Sequence, residues 1–194
     1  MFQNTKITRW IFYTNVFFFI FTLIGQNLIG IPVTNYFALY PISHSNFQIF
    51  QFLTSMFMHA GLAHLFFNML GLLSFGPDCE NQLGERKFLV FYLLMGLGAS
   101  LLQLFFTTGA MIGASGAIYG LLVFFTLLNP DAKLMIFPLP FGFKAKYLVT
   151  FLFILEVVLA FIPGGSISHW GHIGGALTGA SLYFFEKYII KNPN

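Results

Sequence analysis

Three stretches of this sequence bring together the residue types that acyl-transfer chemistry needs. One reads Gly113-Ala114-Ser115-Gly116-Ala117-Ile118-Tyr119-Gly120 and offers a hydroxyl. A second, His169-Trp170-Gly171-His172-Ile173-Gly174-Gly175-Ala176-Leu177-Thr178-Gly179, offers an imidazole. The third runs from His59 through His64 to Asn68 and adds donors. A serine hydroxyl attacks a carbonyl only when a neighbouring base takes its proton, and imidazole is the side chain suited to that near neutral pH. Donors placed where negative charge develops then stabilise the tetrahedral oxyanion.

Each stretch also has a plainer reading. A serine inside a membrane helix usually bonds back to a carbonyl one turn earlier. His64 and Asn68, four apart on one helix face, are more often an interhelical contact. Gly116 with Gly120, and Gly175 with Gly179, are small-residue faces of the kind that pack helices. The choice depends on the elements that carry these residues.

Composition names the solvent of those elements. Of 194 residues 57% are hydrophobic and 8% are charged, against roughly 25% charged in a soluble domain. So much apolar surface needs lipid on the outside of the helices. Six apolar runs are long enough to span, at residues 10–31, 56–76, 88–106, 112–129, 146–162 and 170–190. The predicted fold is therefore all-α: a polytopic membrane protein of six transmembrane helices, forming a single domain over residues 1–194.

The nine basic residues give the orientation, because lysine and arginine near span ends stay on the cytoplasmic side. They fall in alternate segments: Lys6 and Arg9; Arg86 and Lys87; Lys133, Lys144 and Lys146; Lys187 and Lys191. Both termini are expected in the cytoplasm, in a cell (inner) membrane. The first span is read as a helix rather than a secretory signal, since it exceeds the usual 7–15-residue core and lacks an Ala-x-Ala-like site. A net charge of +3 is spread over loops and suggests no nucleic acid. The single cysteine, Cys79, is placed in the cytoplasmic loop after span two as an ordinary free thiol. The connection over residues 32–55 is rich in aromatics, including Phe37, Tyr40, Phe47, Phe50 and Phe52, and suits a segment lying in the interface.

With this topology the chemistry converges. Spans two, four and six run in the same direction, so His59, His64, Asn68, Ser115 and His172 share one layer on the non-cytoplasmic side. Ser115 sits near a helix N-terminus, where free N–H groups and the dipole favour an oxyanion. Close packing of the Gly116/Gly120 and Gly175/Gly179 faces would bring Ser115 to His172. His172 is preferred to His169 as base because it lies one turn above Gly175; His169 is assigned to the exposed connection. Tyr119, on the face of Ser115, can buttress the imidazole or be plain core. No carboxylate is near Ser115 or His172 in sequence, so the reading is a dyad with the imidazole oriented by packing.

These residues resemble the rhomboid family of intramembrane serine proteases. The match rests on His59, His64 and Asn68 in span two, Gly113-x-Ser115-Gly116 in span four, and His172-x-x-Gly175-x-x-x-Gly179 in span six, with Glu80-x-x-x-Gly84 after span two. The resemblance implies Ser115 as nucleophile and His172 as base. It also implies an oxyanion hole from His64, Asn68 and the Ser115 N–H, with His59, Gly113 and Tyr119 in support. It further implies hydrolysis of transmembrane protein substrates from a site open to the non-cytoplasmic side, with no cofactor. One departure is visible: the family's frequent Trp-Arg pair in the first loop is Phe50-Gln51 here, while Thr54 is kept.

Rival chemistries lack their residues. No histidine is followed by glutamate, as a His-Glu-x-x-His metalloprotease needs, and Asp78 and Asp131, the only aspartates, are assigned to cytoplasmic loops. A zinc site from His59, His64 and His172 is disfavoured without a carboxylate or cysteine beside them, so no metal is expected. A catalytically silent protein of the same fold that binds transmembrane clients is the main alternative. A transporter or channel finds support only in Glu156, a carboxylate near the middle of span five for which the sequence offers no partner.

Overall fold

The computed structural model describes residues 5–135, 141–162 and 167–190; Lys191, counted above among the cytoplasmic basic residues, lies outside them. The chain opens with α1, Lys6–Ile24, which widens into a π turn over Gly25–Ile29. Two short helices follow, α2 (Val33–Phe37) and α3 (Gln51–Thr54), the latter running into a 3-10 turn at Ser55–Phe57. Next come α4 (Leu62–Leu83), α5 (Glu85–Phe106) and α6 (Ser115–Leu128). An antiparallel hairpin of β1 (Lys133–Met135) and β2 (Gly142–Lys144) leads to α7 (Ala145–Ala160) and α8 (His169–Phe185), whose end widens into a π turn over Glu186–Ile190.

Six long helices thus fall on the six apolar runs, with corrections. The all-α expectation missed the β1–β2 hairpin. Among the described residues, two helices, Lys6–Ile29 and Glu85–Phe106, are long and apolar enough to cross a bilayer by themselves; Gln51–Phe57 and Leu62–Leu83 form a third candidate, a broken pair bent by 96°. The run at 56–76 is therefore not one straight helix. It breaks at Gly61, and α4 continues seven residues beyond the expected end, through Pro77 to Leu83. Cys79 is accordingly not a loop thiol but is fully buried in α4. Asp78 likewise lies on α4, on its exposed side, rather than in a loop.

The break between α4 and α5 is a single residue, Gly84, at φ +78°, a conformation glycine adopts without strain. One turn before it, Glu80 is buried and its carboxylate accepts from Ile7 N at 2.8 Å, Thr8 N at 2.7 Å and the Thr8 hydroxyl at 2.7 Å. These are first-turn N–H groups of α1 that have no intrahelical partner. An anion at a helix N-terminus also meets the positive end of the dipole. Glu80 thereby ties α1 to α4.

The core lies where α5, α6 and α8 meet. A Cβ on Gly175 would run into the carbonyl of Gly116, and one on Gly179 into that of Gly120, so α6 and α8 touch backbone to backbone. A second seam, between α5 and α8, joins Gly98 to Gly174: a Cβ on Gly174 would lie 2.5 Å from Gly98 O and 2.8 Å from Leu102 Cβ. Large apolar side chains such as Phe17, Phe67, Phe105 and Phe151 are more than half exposed on the outside, the surface that hydrocarbon accepts and water does not.

The first connection is held by Gln51, 1% exposed. Its amide donates to Asn46 O at 2.9 Å and Tyr36 O at 3.1 Å, and its Oε1 accepts from Gln48 N at 3.1 Å. The Thr54 hydroxyl donates to Phe37 O at 3.0 Å. At the opposite end of the bundle, Lys146 and Lys144 lie 2.9 and 3.0 Å from Asp131 and hold its carboxyl below the usual carboxylate range.

Candidate active site

Ser115 is the first residue of α6 and His172 lies in the first turn of α8. The glycine seam fixes the axes of these two helices, and Gln103 on α5 sets how α8 begins: its buried Oε1 accepts from Gly171 N at 3.0 Å. Trp170 adds packing, stacked on Phe106 at 3.8 Å between ring centres. In this frame Ser115 Oγ lies 2.8 Å from His172 Nε2. For the hydroxyl to donate, Nε2 must carry the lone pair and Nδ1 the proton. The Tyr119 ring lies parallel to the imidazole, with centroids 4.3 Å apart and planes at 10°.

The α4 residues face the same place. Ser115, Tyr119 and His172 share a recess of about 560 Å³ with His64 and Asn68. Ala60, Phe67, Ala110 and Ile167 on its rim are exposed, so it reaches the surroundings. His64 Nδ1 accepts from Ala60 N at 3.4 Å, which leaves Nε2 as the protonated donor. Asn68 is buried and donates one amide hydrogen to His64 O at 2.8 Å. His59 lies behind His64, rings edge to face at 5.0 Å, and its Nδ1 donates to Phe57 O at 3.3 Å.

Gly113 shapes the wall opposite. It adopts φ +118°, its N–H donates to Ser55 O at 2.8 Å, and a Cβ there would lie 2.8 Å from the His64 ring. Both the backbone conformation and the space require glycine. Of the residues singled out in the sequence, His59, His64, Asn68, Gly113, Ser115, Tyr119 and His172 thus gather at one site, and Gly116, Gly120, Gly175 and Gly179 form the seam beneath it.

Three expectations are corrected. The imidazole is not oriented by packing alone, because Glu156 of α7 reaches it: Oε1 lies 3.0 Å from His172 Nδ1. The ring N–H is not aligned on that oxygen, so this is a close approach rather than a formed hydrogen bond, and His172 Nδ1 has no aligned partner among the described residues. Nor is Glu156 without a partner, as it stood in the sequence. The Tyr119 hydroxyl donates to its Oε1 at 2.5 Å, and His169 Nδ1 lies 2.6 Å from its Oε2. His169 is half-buried in this cluster rather than in an exposed connection. Among the described residues, Glu156, His169 and His172 are the group whose donor atoms converge closely enough to hold a metal ion. The zinc set weighed and disfavoured in the sequence, His59, His64 and His172, shares only His172 with it.

Residues 46–188 match the Rhomboid domain. The chain belongs to the rhomboid family. Rhomboids are embedded in the bilayer as multi-pass proteins, which agrees with the apolar exterior described above. Among its relatives, RHOMBOID-like protein 2 of Arabidopsis thaliana is 38% identical over 138 residues, covering 71% of this chain and 42% of that protein. Rhomboid-like protease 3 of Toxoplasma gondii is 31% identical over 159 residues, 80% of this chain and 59% of that one. Rhomboid protein 1, mitochondrial, of Saccharomyces cerevisiae is 32% identical over 153 residues, 71% and 42% respectively. The chain thus spans roughly two-fifths to three-fifths of these relatives' length.

Proposed function

We propose that this rhomboid is an intramembrane serine endopeptidase that cleaves transmembrane protein substrates with Ser115 and His172. The observation that carries this reading is the 2.8 Å contact between Ser115 Oγ and His172 Nε2 inside an open recess. His172 takes the hydroxyl proton as Oγ attacks the peptide carbonyl, then gives it to the leaving amine. The oxyanion forms at the N-terminus of α6, where the Ser115 N–H is free of intrahelical bonding, with His64 Nε2–H and the Asn68 amide as further donors. Water then enters the recess and releases the acyl group by the same proton transfers.

All six long helices cross the membrane in this reading, the shorter ones within a bilayer of locally reduced thickness. Both termini are cytoplasmic and the recess opens on the other side, in a cell (inner) membrane. A helical substrate hides its carbonyls in its own hydrogen bonds, so the scissile segment must unwind. Substrates are therefore those with small or helix-breaking residues near that surface.

The test is a fluorophosphonate probe applied to the protein purified in detergent. Wild type is expected to be labelled, and Ser115→Ala and His172→Ala to be unlabelled. A folded wild type that takes no label would leave client binding without hydrolysis as the better account.

A further inference from the structure

Glu156 is a buried carboxylate on α7 whose two oxygens meet three side chains: His172, Tyr119 and His169. The Tyr119 hydroxyl donates to Oε1, and the Nδ1 atoms of His172 and His169 lie against Oε1 and Oε2, surroundings that suit an anion better than a neutral carboxyl group. Two of the three already belong to the site, since His172 contacts Ser115 and Tyr119 covers the imidazole face. The third, His169, opens α8 and holds the second oxygen, so the carboxylate is fixed from both sides.

We propose that Glu156 is a positioning residue for Ser115 and His172, holding the His172 proton on Nδ1 and balancing the charge that the ring acquires. The proposal rests on the proteolytic reading above and deepens it. Neutral imidazole exists in two tautomers, and only the one protonated on Nδ1 leaves Nε2 free to accept from Ser115. An anion 3.0 Å from Nδ1 favours that tautomer. During attack, the Oγ–H bond breaks, Nε2–H forms, and Oγ bonds to the carbonyl carbon as the C=O π pair moves onto its oxygen. The ring is then a cation beside a carboxylate in a poorly solvated setting, where opposite charges attract strongly. A carboxylate serves a hydrolytic histidine in this way without taking its proton. The contact here is unaligned, so its contribution lies below that of a fully hydrogen-bonded triad.

A clasp that merely joined α7 to α8 would need none of this, and the two roles separate in experiment. The first measurement is the limiting rate and half-saturating concentration of fluorophosphonate labelling for wild type, Glu156→Gln and Glu156→Asp. Glu156→Gln keeps the shape and loses the charge. It is expected to lower the limiting rate by about tenfold to a hundredfold, short of the ~10⁴-fold loss seen when an aligned triad carboxylate is neutralised. The half-saturating concentration should stay the same. Glu156→Asp restores the charge and is expected to recover part of the rate. The second measurement is ¹⁵N NMR of histidine-labelled wild type, where His172 should carry its proton on Nδ1. This readout does not depend on any variant folding.

A Gln variant that labels at the wild-type rate, while Ser115→Ala stays silent, overturns the proposal and leaves the protease reading standing. So does a wild-type His172 protonated on Nε2. A loss of rate that follows loss of folded protein, with no recovery in Glu156→Asp, also overturns it. Labelling that survives Ser115→Ala removes the protease reading and this proposal with it.

Discussion

At the level of single residues, Gly113 shows how narrow the tolerances are. Its backbone sits at φ +118° and its missing side chain leaves room for the His64 ring. Gly113→Ala is expected to cost about 1–3 kcal/mol in backbone strain and to displace His64 from the recess. Labelling should then fall while Ser115 and His172 stay in contact; unchanged thermal stability and labelling would refute this. Tyr119→Phe keeps the ring that covers the imidazole and removes the hydroxyl that reaches Glu156. It is expected to keep more labelling activity than Tyr119→Leu, which removes both. Ser115 and His172 were legible as residue types because a serine and a histidine stand out in an apolar chain and each heads a glycine face. Glu156 stood out as a carboxylate in an apolar span, but its partners did not, because it lies 37 residues from Tyr119 in sequence and they depend on how α7 leans against α8. Gln103 and Gln51 were missed for a related reason: each is a neutral amide that satisfies backbone groups, and nothing in a sequence says which ones.

The helices raise a different set of questions, because their contacts are made by what side chains leave open. Gly175→Ala would drive a methyl group into the carbonyl of Gly116. It is expected to destabilise the protein by about 1–3 kcal/mol, as overpacking does, and to part Ser115 from His172. Thermal unfolding and labelling on the same sample would check both. Glu80→Ala would strip the N-terminus of α1 of its acceptor, at about 1–3 kcal/mol for donors left unpaired. The loss should appear as early protease cleavage near residue 8, with the active site still labelled. Hydropathy located the six long helices because lipid demands continuous apolar runs. It could not see the break at Gly61, since the residues on both sides are equally apolar and only the 96° bend separates them. The hairpin of β1 and β2 escaped because its strands are only three residues each and lie in a connection about as apolar as the spans it joins.

For the molecule as a whole, the arrangement of charge is the feature to test. Lys144 and Lys146 pair with Asp131 at the end of the bundle away from Ser115. Cys79 is buried, so the native protein should resist thiol reagents until it unfolds. Ala110→Cys and Asp131→Cys place an exposed thiol at each end. In right-side-out vesicles an impermeant maleimide should react with Ala110→Cys and spare Asp131→Cys; the opposite pattern would invert the proposed orientation.

The seam between α6 and α8 also bears on descent. Every single-base change in a glycine codon that alters the amino acid adds at least a β-carbon, and at Gly175 that carbon has no room. Inheritance therefore offers no small step by which the gap between hydroxyl and ring might be widened or narrowed. Diversity among descendants of this chain has to accumulate in the rim and the connections, while the spacing at the centre passes on unaltered or is lost outright.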